Sequence, residues 1–216
     1  MQRLNGKDIL ETLEEMVRPD HAALLVHDLQ NDFCAPGGKL FDRLGEAKES
    51  VRSAVTHTAE ILTAARRSQV MVAFSRASHF PGGTDESPVH LQHLLKRGQR
   101  GGEPNVVLNT WGHEIVDELR PQPGELVFDK FSFSCFQGTV LEKMLRLRGI
   151  KTLVVVGVAS HSGILTTARI ATTLDYYLAV IRDCVSGTDP KLHRAALDLL
   201  YPDVYDQDDV IRIWGR

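Results

Sequence analysis

The residues of this chain that could do chemistry are a carboxylate, an ammonium group and a glycine-rich turn, each following an apolar run. Asp28 comes directly after the run 21–27, Lys130 comes just after a second run, and the turn 157–163 follows a third. A partly desolvated carboxylate at a strand end can give or take a proton. A solvated lysine and a carboxylate that only caps a turn remain the alternatives.

The turn Gly157-Val158-Ala159-Ser160-His161-Ser162-Gly163 has the pattern of a nucleophile loop without its nucleophile. A strand that ends in such a turn and continues as a helix aims backbone N–H groups at one point, where an oxyanion can bind. We expect Ala159 and Gly163 to provide such groups. Gly163 occupies the place of a thiol or hydroxyl, Ser162 has no evident His–Asp pair to activate it, and His161 either packs locally or touches substrate.

The elements that must position these groups alternate along the chain. Apolar runs alternating with amphipathic stretches predict an α/β fold of three layers, α-β-α, around a mostly parallel six-stranded sheet. Ligands bind such sheets at the carboxyl ends of the strands, where the three groups above would converge. Predicted strands are 21–27, 70–75, 125–128, 153–156, 177–182 and 203–205; predicted helices are 9–17, 47–68, 113–119, 139–148, 163–174 and 191–200; the segment 76–110 is a long irregular region and a candidate lid.

The composition is ordinary for a soluble globular protein. Its 216 residues, 43% hydrophobic, fit a single domain over 1–216. A formal net charge of −3 argues against a nucleic-acid partner. Three distant cysteines without a CxxC pair, and no apolar leader or membrane-length stretch, indicate a cytoplasmic protein that does not bind membranes.

The chain resembles the isochorismatase-like hydrolase superfamily, which has a Rossmann-like fold. The matching stretches, in order, are 25–33 with 36–38, 111–119, 130–139, 157–169 and 182–184. In most relatives an Asp, a Lys and a Cys form a triad in which the Cys attacks an amide or related C–N bond. Asp28 and Lys130 match the first two positions, and Gly163 matches the third.

The resemblance supports more than one reaction. Isochorismatases also carry glycine at the third position, in a loop similar to Gly-Val-x-x-His-x-Gly. By that likeness, Asp28 is a general acid that protonates a vinyl ether or a related bond of a small polar metabolite, while Lys130 orients the substrate. One alternative is an amidohydrolase of the ureidoacrylate or carbamoyl-amide type whose cysteine is replaced at Gly163, and another is a non-catalytic small-molecule-binding homologue.

Further positions complete the prediction. Phe33, Trp111 and Phe136 could wall an apolar pocket or belong to the core, and Cys135 either lines that pocket or is a small buried hydrophobe. Nicotinamidase-type relatives place an Asp two residues before a metal-binding His, whereas here Ala77 precedes His79, so we expect no metal and no cofactor. The resemblance also implies a cis peptide bond at Val158-Ala159 and assembly as a homodimer or homotetramer.

Overall fold

A computed structural model describes residues 2–96 and 102–215, and its centre is a six-stranded sheet. In chain order the strands are β1 (Gln2–Leu4), β2 (Lys7–Ile9), β3 (Ala22–His27), β4 (Met71–Ala77), β5 (Leu126–Lys130), β6 (Thr152–Val158), β7 (Tyr177–Ser186) and β8 (Val204–Tyr205). The helices are α1 (Leu13–Met16), α2 (Asn31–Cys34), α3 (Ala47–Arg67), α4 (Pro88–Lys96), α5 (Leu141–Leu147), α6 (Leu165–Thr173), α7 (Pro190–Leu200) and α8 (Gln207–Trp214).

The large sheet has the order β5-β4-β3-β6-β7-β8, and every pairing in it is parallel. The predicted three-layer α/β fold with a central parallel sheet is therefore confirmed. The chain adds strands to one side of β3 and then crosses to its other side, so β3 and β6 flank the topological switch point. A ligand crevice is expected where these two strands end.

The two faces of the sheet carry separate cores, because side chains along a strand point alternately to opposite sides. In β3, Leu24 and Val26 pack with α3 and α8, whereas Ala23 and Leu25 pack on the opposite face with α5 and α6. All six residues of β3 are buried, as expected of a central parallel strand. His27 continues the second set and faces the side covered by α6.

The N-terminal segment differs from the prediction. The expected helix over 9–17 is shorter in the structure, because α1 covers only Leu13–Met16. Before it, β1 and β2 form a hairpin that was not predicted, whose turn is Asn5-Gly6, with positive φ at both residues. Asn-Gly is the turn that a two-residue hairpin favours. The helix that remains, α1, starts later, at a capping box in which Thr12 and Glu15 exchange side-chain and backbone hydrogen bonds.

Three other regions also differ from the prediction. The expected helix over 113–119 is wrong, since this stretch contains two short 3₁₀ turns, Trp111–His113 and Asp117–Leu119. The segment 76–110 is not wholly irregular, because it includes α4; its residues 97–101 lie outside the described part of the chain. Helix α8 was not predicted, although Trp214 is buried and donates a hydrogen bond to the Val17 carbonyl.

Among the described residues, no helix is both long enough and apolar enough to cross a membrane. The three cysteines, Cys34, Cys135 and Cys184, are free and buried.

Candidate active site

The carboxylate of Asp28 lies at the switch point and is held from two sides. Its Oδ1 accepts a hydrogen bond from Ser75 Oγ at 2.7 Å, and its Oδ2 lies 2.8 Å from Lys130 Nζ. The Asp28 and Lys130 side chains are only 7% and 3% exposed. A buried carboxylate is stable as an anion when it is paired and hydrogen-bonded in this way. The predicted convergence of Asp28 and Lys130 is therefore present in the structure.

Parallel pairing explains why residues so distant in sequence meet here. Within the sheet, His27 lies opposite Ser75, and Ala77 lies opposite Lys130. Ser75, on the strand between β3 and β5, therefore lies beside Asp28, while the Lys130 side chain reaches the same carboxylate from the end of β5. Gln30 fixes the same edge, because its side-chain amide exchanges hydrogen bonds with the backbone of Ala77.

His27 is a functional candidate that the sequence analysis did not single out. Its side chain is fully buried, and Nδ1 lies 2.8 Å from the Val158 carbonyl oxygen and 3.3 Å from Asp28 Oδ2. A carbonyl can only accept, so we assign the ring proton to Nδ1, which leaves Nε2 as an acceptor in the neutral ring. Burial disfavours the charged ring, but the Asp28 carboxylate and the Cys135 thiol outweigh burial and raise the pKa of His27.

A His–Asp pair therefore exists in this site, contrary to the expectation that none was evident. The two residues are adjacent in sequence, which hid the pair from a search for partners at separate positions. In hydrolase triads such a pair activates the nucleophile: the histidine accepts the proton of the nucleophile, and the aspartate orients the histidine ring and stabilises its protonated form. Ser162 is not their partner, because its hydroxyl donates locally to the Ala159 carbonyl at 3.5 Å.

Gly163 lies in a single π-helical turn, Ser160–Ile164, that follows β6 and leads into α6. A Cβ atom at this position would stand 2.4 Å from His27 Cε1 and 3.4 Å from the Phe133 carbonyl oxygen. The His27 ring thus occupies the space that a side chain at position 163 would need. Glycine is matched to its neighbours here, and a cysteine could not be added without displacing the imidazole.

The hollow between Lys130 and Gly163 is largely filled by the segment that follows β5. Lys130 Nζ donates to the Ser132 carbonyl at 3.1 Å. The Phe133 carbonyl approaches Gly163, while the rings of Phe131 and Phe133 are about half exposed. The site is closed in this structure, and residues 131–134 form its cover.

Cys135 differs sharply from the other two cysteines. Its side chain is fully buried against His27, and its backbone N–H donates to Thr167 Oγ1 at 3.1 Å. Burial favours the neutral thiol, but the His27 ring and the Lys130 ammonium outweigh burial and lower the pKa of Cys135. For Cys34 and Cys184 burial prevails and raises the pKa.

The backbone of the turn matches one expectation. The peptide bond between Val158 and Ala159 is cis, as predicted. The Ala159 carbonyl accepts hydrogen bonds from Ser162 and Ile164. His161 packs beside Gly187, on the side of the turn that faces α7. This position beside Gly187 favours local packing for His161.

The three predicted wall residues have different surroundings. Phe33 is partly buried and packs against the core of the α3 face. Trp111 is 51% exposed, and its carbonyl accepts a hydrogen bond from the Asn31 side chain. Phe136 is buried and stacks on Tyr176, with ring centroids 6.0 Å apart. The structure therefore places Phe136 in the core of the α6 face, away from a pocket wall.

His79 has partners that the sequence pattern did not suggest. Ligand atoms of His79, Glu86 and His90 lie within 4.8 Å of one another, and Asp85 accepts a hydrogen bond from His79 Nδ1 at 2.9 Å. The absence of a metal stays a prediction, but its premise, an isolated His79, is wrong.

A signal for His27 was present in the sequence. Because alternate residues of a strand share one face, His27 lies on the same face as Leu25 and Ala23. This face is buried under the helix that follows the glycine-rich turn. A histidine on that buried face needs hydrogen-bond partners from neighbouring strands. Ser75 carries no such signal, because a serine in an apolar strand is common.

Comparison with known proteins agrees with this geometry. The model of the isochorismatase domain matches residues 22–207. Ureidoacrylate amidohydrolase RutB of Methylobacterium radiotolerans is 32% identical over 207 residues, 91% of this chain and 80% of the relative. An isochorismatase family protein of Desulfovibrio vulgaris has a TM-score of 0.75 at 30% identity, covering 90% of this chain and 98% of its own.

N-carbamoylsarcosine amidase from Thermoplasma acidophilum is a further structural neighbour. Its TM-score is 0.69 at 27% identity, with 87% of this chain and 97% of that chain covered. The extent of these matches leads to one assignment. The chain belongs to the isochorismatase-like hydrolase family, and it is a hydrolase.

Proposed function

We propose that this hydrolase cleaves a carbonyl C–N bond in a small polar substrate of the ureido or carbamoyl class. The observation that carries the proposal is the buried Asp28–Lys130 pair, 2.8 Å apart, beside a histidine at the sheet switch point. The substrate class is supported by similarity to a ureidoacrylate amidohydrolase across 91% of the chain and to an N-carbamoylsarcosine amidase.

Each charged group has a role in this reaction. Asp28 acts in proton transfer through the His27 ring, because its Oδ2 lies 3.3 Å from Nδ1 of that ring. Lys130 turns its ammonium from the Ser132 carbonyl to the substrate carbonyl oxygen, where it stabilises the developing negative charge. Substrate binding displaces the cover formed by residues 131–134.

A second candidate is acid-catalysed hydrolysis of a vinyl ether, with Asp28 as the proton donor. The observation that favours it is the tight fit of Gly163 against His27, which excludes a thiol at the usual position. A vinyl ether needs protonation and water and no protein nucleophile. Isochorismate is the test substrate for this reaction.

The experiment is a product assay on the purified protein. Ureidoacrylate, several N-carbamoyl amino acids, simple amides and isochorismate are offered separately, and ammonia, amine and pyruvate are quantified. Release of ammonia or amine from a ureido or carbamoyl compound supports the proposal. Pyruvate from isochorismate alone supports the second candidate. Tight binding of a compound without any product contradicts both.

Two variants connect the product to the site. Asp28→Asn keeps the shape of the side chain but removes the charge, and it should abolish turnover of the preferred substrate. Asp20→Asn is the matched control, because Asp20 is 60% exposed and pairs with Arg18 and His21, outside the site. Equal loss in both variants would contradict a specific role for Asp28.

A further inference from the structure

We infer that Cys135 supplies the thiol that attacks the substrate carbonyl, with His27 as its proton acceptor and Asp28 orienting the ring. This inference rests on the proposed C–N hydrolysis and names the nucleophile that Gly163 cannot provide. The thiol then comes from the segment after β5 instead of the turn after β6.

The geometry of the buried cluster carries the inference. Asp28 Oδ2 lies 3.3 Å from His27 Nδ1, and the fully buried Cys135 thiol is a hydrogen-bonding neighbour of the same ring. Thr167 joins the two elements, since its Oγ1 accepts the backbone N–H of Cys135 and lies 3.4 Å from His27 Nε2. A distance of 3.4 Å is long for such a hydrogen bond, so Nε2 remains able to take the thiol proton.

The charges around the cluster favour an activated thiol. A thiolate is the nucleophilic form of cysteine, and nearby histidine and lysine side chains stabilise it. Cys135 has both neighbours, His27 and Lys130, whereas burial alone dominates around Cys34 and Cys184. The three cysteines are equally inaccessible, at 0% exposure, so the difference between them is electrostatic.

The glycine at position 163 is part of the same arrangement. Without a side chain there, the imidazole of His27 has room beside the turn, 2.4 Å from where a Cβ would lie. The ring in that place lies 3.3 Å from Asp28 and neighbours the Cys135 thiol. The residue that cannot be a nucleophile therefore leaves room for the base of another.

The reaction balances as an ordinary acyl transfer. His27 Nε2 takes the thiol proton while Sγ bonds to the carbonyl carbon, and the imidazolium then protonates the leaving nitrogen as the C–N bond breaks. Water attacks the resulting S-thiocarbamate, giving one proton to His27, which returns it to the departing sulfur. The products are an amine and carbamic acid, which decomposes to carbon dioxide and ammonia.

The first test measures thiol reactivity in the unmodified protein, without substrate. Brief treatment with iodoacetamide at neutral pH is followed by digestion and quantification of each labelled peptide. Cys135 should react about tenfold faster than Cys34 and Cys184, because its thiolate is favoured. Global unfolding would label all three alike, so equal rates, or a slower Cys135, would overturn the inference.

The second test looks for the covalent intermediate with a ureido or carbamoyl substrate that the protein hydrolyses. Acid quenching followed by intact-mass analysis should reveal an acyl adduct that maps to Cys135. Cys135→Ala should lose the adduct and turnover at least a hundredfold, while Cys184→Ala, a matched buried cysteine, should keep both.

The outcomes separate the inference from the proposed function. If the protein hydrolyses the C–N bond and Cys135→Ala keeps that activity, the function stands and the nucleophile assignment is wrong. If no C–N substrate is cleaved, the proposed function fails, while the labelling comparison still decides whether Cys135 is activated. Should Cys135→Ala not fold, the unmodified protein's adduct site alone gives the answer.

Discussion

Two segments border the site, the turn after β6 and the segment after β5, and they differ in what they offer. The turn Ser160–Ile164 has the position of a nucleophile loop, yet its fourth residue, Gly163, has room for no side chain. The segment after β5 has no such geometry, yet it directly follows Lys130, the last residue of β5, and carries Cys135, whose pKa is lowered. In this fold, therefore, the loop with the position of a nucleophile loop and the residues with reactive side chains are two different segments.

The histidines of the chain show a parallel contrast. The pKa of His27 is raised in the site, despite burial, because Asp28 and Cys135 face it. The pKa values of His21, His113 and His193 are lowered, and burial is the first cause in each. The site therefore favours proton binding at His27, whereas burial disfavours it at the other three histidines.

The largest effect should come from neutralising the carboxylate that both segments share. Asp28→Asn should lower kcat/KM by about 10²–10⁴-fold, the range found when general acid–base groups are removed. Steady-state kinetics on the preferred substrate, with circular dichroism to verify folding, is the measurement. If the variant kept activity within twofold of the unmodified protein, Asp28 would have no part in the reaction, and the two segments would differ only in packing.

Breaking the ion pair should have the next largest effect, on stability. Lys130→Met leaves Asp28 buried without its 2.8 Å partner, and removal of one partner of a buried pair costs about 3–5 kcal/mol. Urea unfolding gives the difference. Arg146→Met is the control, since its pair with Glu142 is exposed and should leave stability nearly unchanged. A similar small change in both variants would contradict the buried pairing.

A methyl group at position 163 tests whether the turn is matched to His27. Gly163→Ala should destabilise the protein by about 1–3 kcal/mol, the usual cost of overpacking. The cost should shrink in a His27→Ala background, because the ring is what the new methyl group meets. Gly102→Ala is the control, with nothing within 4 Å of its added Cβ. If Gly163→Ala destabilised the protein equally with and without the His27 ring, the ring would not be what limits the size of the residue at position 163.

The smallest effect concerns pH. His113 binds protons less readily in the folded state, so the free energy of unfolding should fall as pH drops below 6.5, through its lowered pKa. The raised pKa of His27 has the opposite sign: its contribution is present below 6.5 and is lost as pH rises through the folded value.

Urea midpoints between pH 5 and 8 measure both contributions. His113→Asn should make stability less sensitive to acid, whereas His27→Asn should make it more sensitive. If both variants changed the acid sensitivity of stability in the same direction, His27 and His113 would not differ in the direction of their pKa shifts.

Much of the fold could be predicted because its signals are local. Apolar runs give β3 and β6, and helical spacing gives α3 with its buried Val51, Val55 and Leu62. The hairpin was missed although Asn5-Gly6 is a strong local turn signal, since the apolar spacing after it was interpreted as one helix. Helix α8 was missed because its buried face only becomes clear once Trp214 packs against the distant α1.

The candidate site was predictable only in part, because only some of its residues are marked by local sequence signals. Asp28 and Lys130 follow strands and must meet at one edge of a parallel sheet. The role of His27 depends on contacts with Val158, Thr167 and Gly163, all more than a hundred residues away. No periodicity or propensity encodes such contacts, so Cys135 too could not be distinguished from a core residue.

The central claim, that the reaction takes place where Asp28, His27 and Cys135 meet, is tested most directly by a crystal structure of Asp28→Asn with a slowly cleaved ureido substrate. We expect the carbonyl carbon about 3–3.5 Å from Cys135 Sγ, the separation from which a nucleophile attacks. A substrate bound with this carbon out of reach of the thiol, or bound elsewhere on the molecule, would contradict the account.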